Sequence, residues 1–145
     1  MVRISIALLV ASVRLGTCCE CVLLPAKAEA KHSEVVFSGK ITEISDSQIT
    51  FAVERVFKGR IPAVFRMVNF TMGSGCSPGF ARHLVKTGNQ LLVYAWRTEF
   101  FHEGSLTSTC SRTGLVQNAS ADLKQLGRGR PTQCIIRGDP LHNDR

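Results

Sequence analysis

Residues 34–57 read EVVFSGKITEISDSQITFAVERVF, and this stretch decides the fold class. Val35, Phe37, Gly39 and Ile41 fall on one side of an alternating run over residues 34–44. Ile49, Phe51, Val53 and Phe57 do the same over residues 49–57. A period of two with β-branched and aromatic residues is the pattern of a half-buried strand, because successive side chains of an extended chain point to opposite faces. Ser45-Asp46-Ser47-Gln48 between them is a short polar turn, so the two runs form an antiparallel hairpin.

Working outward, Lys58-Gly59-Arg60-Ile61-Pro62 is a second turn, and residues 63–70 form a third strand. A fourth runs over residues 90–97, where Leu91-Leu92-Val93-Tyr94-Ala95-Trp96 is apolar without alternation, as in a central strand covered on both faces. Residues 71–89 between them are a long glycine-rich loop holding Cys76, Pro78 and Gly88, a length that points to a binding surface. Residues 104–110 form a fifth strand. One helix spans residues 120–126, with Ser120 as N-cap, Asp122 near its positive end, Leu123 and Leu126 a turn apart, and Gly127 as the stop. From Arg128 onward the chain is basic and turn-rich, the composition of a mobile tail. Five short strands and a helix fit a small all-β Greek-key barrel; periodicity alone does not separate that from a sandwich, but it excludes a helical bundle.

The chain has 145 residues, 44% of them hydrophobic and 20% charged, which suits one folded domain. The net charge of +7 comes from scattered rather than clustered basic residues, the pattern of a solvated surface. At the start, Arg3 precedes an apolar run over residues 4–13 that is too short to span a membrane, followed by Leu15-Gly16-Thr17-Cys18-Cys19. This reads as an export signal over residues 1–18, cut before Cys18 or Cys19; lipidation of Cys18 is the alternative. In an oxidising compartment the six cysteines read first as disulfides. Cys19 and Cys21 are too close in sequence to bond to each other comfortably, so each reaches a distant partner among Cys76, Cys110 and Cys134.

The order of several motifs carries a resemblance. Cys19-Glu20-Cys21, the run from Ala30 through Ile41, Phe57-Lys58-Gly59, Gly75-Cys76, Leu91-Leu92-Val93-Tyr94-Ala95, Cys110-Ser111-Arg112-Thr113 and Asp122-Leu123-Lys124-Gln125-Leu126-Gly127 together resemble the N-terminal domain of the tissue inhibitors of metalloproteinases. The match covers roughly residues 19–127, most of the chain, leaving 128–145 as the tail. The resemblance implies a five-stranded barrel of the oligonucleotide/oligosaccharide-binding (OB) type with one or two short helices. It also implies disulfides joining Cys19 to Cys76 and Cys21 to Cys110.

Its functional implication is a secreted, monomeric inhibitor with no cofactor of its own, acting on the zinc of a metalloendopeptidase. The backbone amine and carbonyl of Cys19 would take the position at the zinc that water normally fills. Glu20 would enter the specificity pocket, and Cys21, Val22, Ser74, Gly75 and Cys76 would complete the contact surface. Glu20 stands where the family carries a compact residue, and a carboxylate in an apolar pocket is costly to desolvate. Lys31 stands where the family has a third N-terminal cysteine, which leaves Cys134 without its expected partner. The alternative function is an exported barrel that binds surface partners or sugars without inhibiting.

Other patterns weigh less. Cys19 and Cys21 with His83 or His102 have metal-ligand types but no metal-site spacing. Ser111, His102 and Asp122 lack any nucleophile-elbow motif. Nucleic-acid binding needs exposed aromatics among basic residues, whereas Phe51, Phe57 and Tyr94 fall in apolar strand patterns. Asn69 and Asn118 begin glycosylation sequons, and Arg137-Gly138-Asp139 is a common tripeptide in the tail.

Overall fold

The computed structural model describes residues 21–70, 78–98 and 104–132. A first helix, α1 (Ala26–His32), leads into β1 (Val35–Ile44) and β2 (Gln48–Lys58), which pair antiparallel. The hairpin closes where the Ser45 N–H donates to the Gln48 carbonyl at 2.8 Å. Next come β3 (Val64–Val68), a 3-10 turn (Arg82–Leu84), β4 (Gln90–Thr98), β5 (Gly104–Leu106) and β6 (Gly114–Leu115). A second 3-10 turn (Val116–Asn118), α2 (Ser120–Leu126) and β7 (Arg130–Pro131) follow.

The strand order is β3-β2-β1-β4-β5, with β3 and β5 brought together to curl the sheet almost shut. This is an all-β, five-stranded Greek-key barrel of the OB type with two short helices. Closure depends on residues 78–80, which stitch the two ends. The Gly79 N–H donates to the Thr107 carbonyl at 2.6 Å, and the Phe80 N–H donates to the Phe70 carbonyl at 2.9 Å. Gly79 sits at φ 106°, and a Cβ there would lie 1.8 Å from the Phe70 carbonyl oxygen, so only glycine fits.

Because β4 is apolar on both faces, it separates two cores. Leu91, Val93 and Ala95 point into the barrel, where Phe37, Phe51, Phe65 and Phe80 meet. Phe37 packs edge-on against Phe51 at 5.3 Å and against Phe65 at 5.5 Å, while Phe51 stacks on Phe80 at 6.0 Å. Leu92 and Tyr94 face outward with Val36, covered by Ala26 and Ala30 of α1 and Leu123 and Leu126 of α2. The barrel wall is thus sandwiched between its own interior and a helical layer.

Several expectations are corrected. Ala30-Lys31-His32, read as the lead-in to the first strand, belongs to α1. Residues 26–32 are strong helix formers, and the Pro25 carbonyl accepts from the N–H groups of Ala28 and Glu29 to start the helix. Lys58 finishes it, its ammonium donating to the carbonyls of Ala30, Lys31 and Ser33. Ser120 is the first helical residue of α2 rather than its N-cap; Ala119 takes that position and no side chain caps. Gly127 ends α2 at φ 82°, as expected. The third strand is shorter than expected, and the fifth stops at Leu106, where Thr107 begins a hydroxyl-rich turn. The expected tail is structured at its start, where β7 pairs with β2. Among the described residues no helix is long and apolar enough to cross a membrane.

Candidate functional site

The site begins in the turn after β5, where residues 107–113 are held by their own hydroxyls. Thr107 Oγ1 donates to the Tyr94 carbonyl at 2.7 Å, and the Tyr94 N–H donates to Thr113 Oγ1 at 3.0 Å. Ser111 Oγ donates to the Ser108 carbonyl at 2.8 Å and accepts from the Thr113 N–H at 3.1 Å, while the Cys110 N–H donates to Ser108 Oγ at 3.0 Å. Short polar side chains satisfy a tight turn in this way because they reach neighbouring main-chain groups at little entropic cost. The turn presents two groups toward the N-terminal segment, the sulfur of Cys110 and the guanidinium of Arg112.

Cys110 is bonded to Cys21, with their Cα atoms 5.1 Å apart and the two residues 89 positions apart in sequence. Closing so long a loop removes roughly 4 kcal/mol of chain entropy from the unfolded state. Arg112 Nη1 donates to the Leu24 carbonyl at 3.1 Å. The same guanidinium binds Asp122 twice, Nε to Oδ2 at 2.7 Å and Nη2 to Oδ1. Asp122 also accepts from the Tyr94 hydroxyl at 3.1 Å. It is only 4% exposed, and a buried carboxylate is tolerated here because a cation and three donors surround it.

Electrostatics follow the same geometry. Hydrogen bonding to Asp122 holds the Arg112 guanidinium more firmly protonated than usual. Burial, and then the Asp122 charge and hydrogen bond, push the Tyr94 hydroxyl well above its ordinary value, so it remains a donor. Burial also raises Glu29 on α1, opposed by the charges of His32 and Arg112.

Residues 21 and 24 are thus gripped by residues 110 and 112, and the two side chains between the grips are turned out to solvent. Val22 is 79% exposed and Leu23 57%. Adjacent exposed aliphatic side chains on a pinned backbone form a ridge suited to an apolar recess.

Of the expected contact residues, Cys21 and Val22 lie on this ridge. Cys19, Glu20, Ser74, Gly75 and Cys76 lie outside the described residues, as does the implied Cys19–Cys76 bond. Arg112 and Asp122 are the residues whose joint role the motif reading missed, since they meet Leu24 only through the fold. Ser111 and Asp122 do not form a hydrolytic pair: Ser111 bonds to its own turn, and Asp122 is taken by Arg112 and Tyr94. His102 lies outside the described residues, and no group of three metal-ligand side chains occurs among those described. Phe51 and Tyr94 are buried, and Phe57 packs in the helical layer. No family model matches this chain, and no curated protein or solved structure matches it.

Proposed function

We propose that this chain is an exported protease inhibitor rather than an enzyme, docking its N-terminal ridge in the cleft of a zinc metalloendopeptidase. The observation that carries the reading is the clamped Val22-Leu23 ridge, held by the Cys21–Cys110 bond on one side and Arg112 on the other. An inhibitor binds better when its contact segment is ordered before binding, and a pre-pinned backbone provides that.

In the proposed complex the α-amine and carbonyl of Cys19 reach the target's zinc and displace its water. An α-amine titrates at about 7.7 to 8.0, so its lone pair is accessible near neutral pH. Val22 and the loop carrying Ser74, Gly75 and Cys76 supply the flanking surface, and Glu20 points into the specificity pocket. The Glu20 carboxylate favours a target whose pocket offers a cation or donor over one with an apolar pocket.

The test is a titration of a panel of zinc endopeptidases with protein beginning at Cys19, protein beginning at Cys18, protein acetylated at Cys19, and Glu20→Thr beginning at Cys19. Inhibition is expected only with a free amine on Cys19, because an amide nitrogen offers no lone pair to zinc. Equal inhibition by the extended form rules out chelation. No inhibition by any form favours an exported binding module for surface partners or sugars.

A further inference from the structure

We infer that Arg112 is a positioning residue for the Val22-Leu23 ridge, fixing the pose in which those side chains enter an apolar recess of the partner; this rests on the inhibitory reading above. The disulfide alone leaves residues 22–24 free to turn between Cys21 and Pro25, where α1 begins. The hydrogen bond from Arg112 Nη1 removes that freedom by fixing the peptide plane at Leu24. Leu23 then has one direction rather than several.

Only an arginine can do this. Its Nε and Nη2 are occupied by Asp122 while Nη1 reaches Leu24, three donors on one rigid plane serving two acceptor groups. The plane is itself oriented from behind, because the Tyr94 hydroxyl fixes the carboxylate of Asp122. The chain of support therefore runs from the barrel wall through Tyr94, Asp122 and Arg112 to the ridge. A lysine at 112 keeps the charge pairing with Asp122, but its single ammonium cannot hold both groups in the same geometry.

The experiment compares the wild type with Arg112→Lys by 15N relaxation and by inhibition kinetics. In the wild type the Val22 and Leu23 amides are expected to be as rigid as the barrel, with order parameters of about 0.85. In Arg112→Lys they fall below about 0.6 while the barrel amides stay as rigid as in the wild type. Against a protease that the wild type inhibits, the complex dissociates about tenfold faster with little change in association rate, the worth of one charge-assisted hydrogen bond. Ridge amides as rigid in Arg112→Lys as in the wild type overturn the inference, and so does a loosened ridge with unchanged dissociation. A wild type that inhibits nothing in the panel defeats the inhibitory reading alone, and the relaxation data then decide by themselves whether Arg112 positions the ridge. If Arg112→Lys fails to fold, the double variant Arg112→Gln with Asp122→Asn removes both charges together and gives the same readouts.

Discussion

The Tyr94 hydroxyl donates to Oδ2 of Asp122 at 3.1 Å, joining β4 to the first turn of α2 across the outer core. Tyr94→Phe removes that donor and keeps the ring, so a loss of about 1 to 2 kcal/mol is expected. Asp122→Asn strips the Arg112 cation of its partner, with an expected loss of about 3 kcal/mol or more. Urea titrations of the two variants check the order of these effects; a Tyr94→Phe loss equal to that of Asp122→Asn contradicts it.

Glu29 gives a pH dependence of definite sign. Burial raises its pKa from the ordinary 4.5, so the folded state binds this proton more tightly than the unfolded state. The stability it contributes is present in acid and is lost as pH rises through the raised pKa. Glu29→Gln is therefore expected to melt higher than the wild type at pH 7, with the advantage gone at pH values below 4.5. Melting curves across that range provide the check.

Lys58 holds the C-terminal end of α1 from the neighbouring strand, donating to three carbonyls. Lys58→Met keeps the apolar stem and deletes the donors, at an expected cost of about 2 kcal/mol. The loss is local: hydrogen exchange of the α1 amides should accelerate more than that of the β1 and β4 amides. A uniform change in both places contradicts the assignment.

Gly79→Ala tests barrel closure. A Cβ cannot coexist with the Phe70 carbonyl, so the variant must shift residues 78–80 and break the bonds that join the ends of β3 and β5. The expected loss is about 3 kcal/mol or more, with faster exchange at Phe80 and β5 than at the β1–β2 hairpin. An unchanged urea midpoint would show that the closure carries no stability.

Most of the barrel was legible because β1 and β2 bury side chains with a clear period, β4 is an unbroken apolar run covered on both faces, and Gly127 marks the end of α2. Helix α1 was not, since the apolar face of its seven residues AKAEAKH is only the small side chains of Ala26 and Ala30, and a strand follows two residues later. Its helicity rests on propensity, Pro25 and the distant Lys58. The pairing of Cys21 with Cys110 was accessible only through family resemblance, as spacing alone left three partners open. Arg112 was the least legible residue of the site. It is ten residues from Asp122 and 88 from Leu24 in sequence, and no local pattern links groups that only the closed barrel brings together.

β2 is eleven residues long and β3 only five, so its far half extends past β3, and there β7 lies against Arg55 and Val56. The Thr132 N–H points inward to the Glu54 carbonyl. By strand alternation, the outward-facing position of β7 is that of Pro131, which has no N–H to offer. The added strip therefore covers an open row of main-chain groups and is itself a poor template for another molecule's strand. Its consequence is colloidal: an unshielded sheet margin is a hazard for edge-to-edge self-association, and Pro131 removes a donor from this one.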